Sequence, residues 1–420
     1  MPTKLTSPRQ SFKRTELKSL EKYMLALSSA QNNSSVLYLL SVLLQNRGKM
    51  EFKVKVAVVA MLHALAAANM LNSEIAALPR QRPTTCGPLK DCDDFTEPIF
   101  YSQFRFRKEH FWNLLQAMRF TDAAGRPLTI KFGKPGHRHT MRTDHLLMIL
   151  LRRLAFPSRW IDLALILGGH ESTLSRAYNF ILKKVHHDFC HLVSDLRRWQ
   201  HKFPQFAQRL TDMGAPFHNL IAFVDGHFDH TARPGGDGCV RRNLKDYQVY
   251  NHLHHDHGLM FQGLVLVNGW CMCWGPWRGA MHDAKTVVKA EIIQDLHAIC
   301  QELGEEYSHF ADSAYLQSRY MQTILKQPPG GSLSQRQRRF NALMARFRIV
   351  IENLFAEVVS TWAALQHKEN KKLGAQDVGK MFPVAMLLHN CRAVFYGSQT
   401  SNYFGLDGML ELSLRNILDG

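Results

Sequence analysis

The stretch LMFQGLVLVNGWCMCWGPW, Leu259–Trp277, decides the fold. Two apolar runs flank Asn268-Gly269, a pair that suits both positive-φ positions of a tight hairpin turn, so the stretch predicts two antiparallel strands. Outward from it, NLIAFVDGHF (Asn219–Phe228) is another β-rich apolar run, and YSHFADSAY (Tyr307–Tyr315) holds a further short strand. Between hairpin and strand, Ala284–Gly304 reads as an amphipathic helix with Asp283 as its expected cap. After the loop PPGGSLSQ, the chain reads as helix again from Gln335 to about Leu365. Strand, hairpin, helix, strand, helix is a mixed α/β domain beginning near Pro216.

Before Pro216 the pattern is helical. Residues from about Ser11 to Leu78 carry Leu, Val and Ala at helical spacing, and the proline-punctuated stretch Pro79–Pro98 marks a linker or long loop. Helix resumes over Arg107–Phe120, followed by a polar Gly/Pro-containing loop, Asp122–His139. Thr143–Phe189 then parses as a helix to Ala155, a break at Pro157, a short helix through Leu167, a Gly168-Gly169 turn and a longer helix starting near Ser172. Ser172 or Thr173 can cap that last helix. The outline is that of a helix-turn-helix, which would turn Ser172, Thr173 and Arg176 toward DNA; a plain helical hairpin has the same outline. The expected division is a helical region 1–135, a helix-turn-helix-like region 136–215, an α/β domain 216–397 and a tail 398–420.

Charge narrows the partner class. The chain of 420 residues carries a formal net charge of +17 and a pI near 9.6, an excess that attracts polyanions and favours nucleic acid. Its eight cysteines are scattered, with no CxxC pair and no disulfide framework, as expected of reduced thiols in an intracellular compartment. The N-terminus lacks the apolar core of a secretory signal. The most apolar segment is interrupted by His63, Asn69, Asn72 and Glu74, so a soluble protein with no membrane partner is expected.

Three acids sit where a carboxylate is costly without a partner: Asp225 at the end of IAFV, Asp312 after HFA, and Glu352 within FRIVIENLF. Singly, each has a plain structural reading. Asp225 could be a strand-end turn residue, Asp312 a cap, and Glu352 the partner of Arg348 one helical turn earlier. If the strands lie side by side and the helix crosses their ends, the acids converge. Converging carboxylates repel unless hard divalent cations lie between them, and all-oxygen donors suit magnesium or manganese. Two such ions serve phosphodiester chemistry.

The segments VDGHFDHTARP, YNHLHHDHGLMFQGLVLVNG, GPWRGAMHDA, FADSAY, RRFNALMARFRIVIENLF and LLHNC occur in this order. Together, over about Asp144 to Cys391, they resemble the transposases of PIF/Harbinger elements and the nucleases domesticated from them. The resemblance implies an RNase H-like core with a DDE triad on Asp225, Asp312 and Glu352, holding two Mg²⁺ or Mn²⁺ ions. It also implies action on double-stranded DNA in the nucleus, as a homo-oligomer on DNA, with a Myb/SANT-like accessory protein. His282-Asp283 matches the family's HD, an auxiliary position beside the triad, as Arg348 is. Arg233 of ARP and Arg336, Arg338 and Arg339 of SQRQRRF are candidates for contact with the DNA backbone. Two departures stand out. Ala311 and Ala314 replace the family's glycines around DS, and AEVVSTWAAL after the Glu lacks its basic residues. The competing reading is a non-catalytic DNA-binding or scaffold protein that keeps the transposase fold.

The histidines of YNHLHHDHG, His252 to His257, invite a zinc reading. Laid out as a strand, His252, His254 and Asp256 face one way and His255 and His257 the other, so neither face offers four converging ligands. The segment is expected to be solvated or DNA-facing.

Overall fold

The computed structural model describes residues 87–235, 246–406 and 414–418. The helices expected between Ser11 and Leu78 lie outside these residues. Helices α1 (Glu97–Phe104) and α2 (Lys108–Ala117) come first, then a two-stranded hairpin of β1 (Thr129–Phe132) and β2 (His139–Arg142). The polar loop expected over Asp122–His139 thus contains a strand and the start of another. Its turn is nonetheless written in the sequence: Lys134-Pro135-Gly136-His137 closes with His137 N–H donating to the Lys134 carbonyl at 3.0 Å, and Gly136 has φ +83°. Proline then glycine at the two central positions is the chemistry of a type II turn.

Next come α3 (Thr143–Ala155), α4 (Trp160–Leu167) and α5 (Glu171–Phe189). Helix α3 is buried on almost every face, as its Leu-rich sequence requires, and ends where Phe156 precedes Pro157. Gly168 and Gly169 turn the chain with φ +80° and +77°. At Gly168 a side chain has no room: a Cβ would lie 1.9 Å from the Pro88 carbonyl oxygen. The cap of α5 is neither Ser172 nor Thr173. His170 takes that place, its Nδ1 accepting from the Ser172 N–H at 3.1 Å, because the helix begins at Glu171, two residues earlier than a cap at Ser172 would allow.

After α6 (Phe203–Asp212), the sheet is built from β3 (Leu220–His230), β4 (Tyr250–Asn251), β5 (Asp256–Leu266), β6 (Cys271–Arg278), β7 (Ser308–Ala311) and β8 (Met321–Thr323). Helices α7 (Asp283–Lys289) and α8 (Ile292–Leu303) lie between β6 and β7; α9 (Gln335–Thr361), α10 (Met381–Tyr396) and α11 (Gln399–Phe404) follow β8. The order β4-β5-β3-β7-β8, with β6 also on β5, is mixed: β3, β5 and β6 run antiparallel, β3, β7 and β8 parallel. This is an α/β fold with helices on both faces of the sheet. Phe355 of α9 packs where a side chain on Gly263 would go, while Thr286 of α7 bonds Gln262, the next residue along and so on the opposite face.

The expected hairpin is β5–β6, with one correction. Only Gly269 has positive φ, at +88°, and the loop holds three residues: Gly269 N–H donates to the Leu266 carbonyl at 2.9 Å, and Leu266 N–H to the Trp270 carbonyl at 3.0 Å. That is a turn closed by a left-handed glycine, which leaves Asn268 free to accept from the Trp270 N–H at 3.1 Å. The Asn of LLHNC has a matching task. Asn390 of α10 accepts from the Cys271 N–H (2.9 Å) and donates to its carbonyl (2.8 Å), satisfying both main-chain groups of that residue on β6.

The core is continuous. Leu220–Val224 of β3 is wholly buried, and the Phe223 ring lies within 6.5 Å of Phe310, Phe347 and Phe404. Burial of one such aromatic stabilises by about 1.5–3 kcal/mol, so the strand that carries Asp225 is anchored from three elements. Among the described residues no helix is long and apolar enough to cross a membrane.

Candidate active site

Asp225 is the first residue of β3 to leave the core, its side chain 19% exposed. On one side Gly263 of β5 lies opposite it; on the other, the parallel register pairs Phe223 with Phe310. Continued by two residues, that register sets Asp312, just past the end of β7, beside Asp225. The pairing explains why these two acids sit far apart in sequence and together in space. The Asp312 carboxylate accepts from the Ala314 N–H at 2.8 Å, so Ala at this position keeps the turn that orients the acid.

Glu352 comes from α9. It is exposed, with a side chain 45% accessible, and not the buried acid its apolar neighbours suggested, because the helical turn sets it about 100° round from buried Ile351 and on the same face as Arg348, one turn earlier. Arg348, one turn earlier, joins it to the sheet: the guanidinium donates to Asp225 Oδ2 at 3.0 Å and to Glu352 Oε1. One arginine thus bridges the first and third acids of the predicted triad.

A fourth carboxylate belongs to this cluster. His282 is the N-cap of α7 and Asp283 its first helical residue, so Asp283 is not the cap. Its side chain instead lies against the main chain of β3, where a Cβ on Gly226 would come within 2.2 Å of Asp283 Oδ1. Among the described residues nothing donates a hydrogen bond to that carboxylate. Burial pushes its pKa above the usual range, reinforced by the negative charge of Asp312 and opposed by His282. Asp225 is likewise raised, to about 6, first by burial, against Arg348 and the Gly226 N–H, and further by Asp312 and Asp283. The acids feel one another.

Beneath them lies a network that the motifs do not reveal. Gln262 donates to the Asp225 carbonyl at 2.7 Å and accepts from the Thr286 hydroxyl at 2.8 Å. Its amide also meets the Tyr315 hydroxyl, 3.0 Å from Nε2. Tyr315 is held far above its ordinary pKa, first by burial and then by Asp283, so its hydroxyl stays neutral. The only sequence trace of this network is a lone Gln inside the apolar strand LMFQGLVLV.

The remaining candidates lie elsewhere. Ser172 and Thr173 are in the first turn of α5, and Arg176 Nη1 lies 2.7 Å from His139 Nε2 of β2. Arg233 is exposed beyond the end of β3. Arg336, Arg338 and Arg339 are exposed in the first turns of α9, about 20–24 Å along the helix from Glu352 at 1.5 Å per residue. They do not touch the acids.

The first three histidines, His252, His254 and His255, lie in the turn between β4, which ends at Asn251, and β5, which begins at Asp256 and takes in His257. His254 stacks on Phe228 at 4.4 Å, and Asp256 accepts from Lys368 at 2.8 Å and lies 2.9 Å from His230 Nδ1. Burial would raise Asp256, but those partners hold it down to about 2. Among the described residues one group, Asp91, Asp144 and His145, brings three ligand atoms within 4.8 Å of one another and could hold a metal. It contains none of the predicted acids, and Arg142 already reaches into it, 3.1 Å from both Asp91 Oδ1 and Asp144 Oδ1.

Residues 238–390 match the family model of the DDE superfamily endonucleases. The match supports the DDE superfamily and a nuclease-like function for this α/β segment. It takes in Asp283, Asp312 and Glu352; Asp225 precedes it. No curated protein and no solved structure matches the chain.

Proposed function

We propose that this chain is a metal-dependent DNA endonuclease of the DDE type, of the PIF/Harbinger kind, that cuts phosphodiester bonds and, as a transposase, joins the released 3′ end to a target. The observation that carries the reading is the convergence of Asp225 and Asp312 from adjacent parallel strands with Glu352, which Arg348 ties to Asp225. The donor set fits hard divalent ions: every candidate ligand is a carboxylate oxygen, and the one arginine among them reaches only Asp225 and Glu352. Asp225, Asp312 and Glu352 would hold two Mg²⁺ or Mn²⁺ ions, which when bound supply an activated water or 3′-hydroxyl and a stabilised leaving oxygen.

The protein's own residues set the frame. β3 fixes Asp225 because the five residues before it are buried on a central strand. Gln262 holds the Asp225 main chain, and the neutral Tyr315 hydroxyl adds a dipole without adding charge. Arg348 offsets the repulsion that would otherwise push Glu352 from Asp225. Duplex DNA, a nuclear location, a homo-oligomer on DNA and a Myb/SANT-like accessory protein complete the proposal, supported by the net charge of +17 and the ordered segments.

The test is nicking of supercoiled plasmid by the purified protein in Mg²⁺ or Mn²⁺, beside Asp225→Asn and Glu352→Gln. Nicking by the parent alone supports the proposal. Equal nicking by all three refutes the assignment of the acids. Firm DNA binding without nicking, also in the presence of an accessory protein, would favour the scaffold reading.

A further inference from the structure

We infer that the β1–β2 hairpin is a second DNA-binding element, a basic wing that grips the phosphate backbone of a duplex beside α5. The inference rests on the proposal that DNA is the substrate, and adds to it a contact surface outside the acids.

From Leu128 to Arg142 the chain reads LTIKFGKPGHRHTMR, with Lys131, Lys134, Arg138 and Arg142 and no acid. Arg142 turns inward to Asp91 and Asp144. The other three, with His137, are exposed, and among the described residues no carboxylate pairs with them. Exposed cations without a bound acid have no ion pair to break before they neutralise phosphates, unlike Arg126, Arg197 and Arg319, each of which is tied to an acid.

The hairpin is held in a fixed pose. Phe132 is 5% exposed and stacks on Phe180 of α5 with ring centroids 5.0 Å apart, and His139 lies 2.7 Å from Arg176 of the same helix. At the tip, the Pro135-Gly136 turn carries Lys134 and His137 on a rigid four-residue frame. The hairpin therefore stands along α5 on the side where Ser172, Arg176 and Lys183 are exposed. A helix after a tight glycine turn, flanked by a stiff basic hairpin, suits a duplex: the helix end meets a groove and the hairpin reaches the adjoining backbone. Phosphate contacts of this kind position the protein and carry no sequence information.

The experiment is duplex binding by fluorescence anisotropy over a salt series, on two unrelated sequences, for the full chain, Lys131→Gln/Lys134→Gln/Arg138→Gln, and an equal-charge control, Arg126→Gln/Arg197→Gln/Arg319→Gln. Each phosphate contact contributes about 0.9 to the slope of log K against log salt. The hairpin variant is expected to lose about 3 from that slope and tenfold or more in affinity at low salt, equally on both sequences, while the control changes little. A hairpin variant that behaves as the control overturns the wing, even if the parent nicks DNA. A wing-dependent slope in a protein that nicks nothing sinks the nuclease proposal and leaves the wing. A parent that binds no duplex sinks both.

Discussion

Asp225 should cost the metal-free fold stability, and removing its charge should return it. Its pKa rises from 3.8 to about 6 on folding. Below pH 3.8 the carboxyl is protonated in both states and there is no penalty. Between 3.8 and 6 the unfolded chain releases the proton and the fold retains it, so stability falls by about 1.4 kcal/mol per pH unit. Above 6 the full cost of about 3 kcal/mol is reached and stays flat. Asp225→Asn keeps the shape and the acceptor for the Gly226 N–H without the charge. In chelator at pH 7.5 it should therefore be more stable than the parent by up to about 3 kcal/mol, with the gap closing below pH 4. Urea denaturation across pH 4–8 measures this directly. Saturating Mg²⁺ should narrow the gap, because a ligand that binds the folded parent stabilises it by mass action. A variant less stable than the parent at pH 7.5 in chelator would refute the reasoning, by showing that the ion pair with Arg348 outweighs burial.

Four further outcomes are expected. Arg348→Gln removes the main influence lowering Asp225, so the Asp225 pKa should climb above 6, read by carboxyl-carbon NMR titration; an unchanged value would remove Arg348 from the cluster. Gly226→Ala forces a Cβ toward Asp283, 2.2 Å from Oδ1, and should destabilise by about 1–3 kcal/mol in a thermal or urea melt; doubling it with Asp283→Ala should recover most of that loss. Lys371→Met strands the buried Asp229 carboxylate, which Lys371 Nζ meets at 2.6 Å, and should cost about 3–5 kcal/mol by urea denaturation. Gln262→Leu leaves the buried Tyr315 hydroxyl short of its partner, while Thr286 keeps the Asp283 carbonyl, and should cost about 1–3 kcal/mol in the same assay.

The sequence shows some of this plainly and hides the rest. Alternating and apolar runs revealed β3, β5 and β6 because each must bury a face, and Asn268-Gly269 marked the hairpin although the loop is one residue longer than the dipeptide suggests. The break at Pro157 and the Gly168-Gly169 turn were legible because proline and glycine act locally. The β1–β2 hairpin was not: its strands are four residues each, with one buried residue apiece, and too short for a period to emerge. Asp225, Asp312 and Glu352 were legible as charges at the edges of apolar runs. That Asp312 lands beside Asp225 depends on the β3–β7 register, a long-range pairing that no local pattern records. The place of Asp283 against Gly226 and the Gln262–Tyr315–Thr286 network depend in the same way on how α7 and the segment after β7 close over the sheet.

The crowding of Asp225 and Asp283 beside Asp312 also has a history to tell. Because burial and neighbouring negative charge hold Asp225 and Asp283 above the usual carboxylate range, substitutions that neutralise either run downhill in the stability of the metal-free fold, and drift toward an inert descendant meets no folding barrier. Such a lineage would shed its acids before its core, and would express better for having done so. A chain that keeps both charges carries them against that slope.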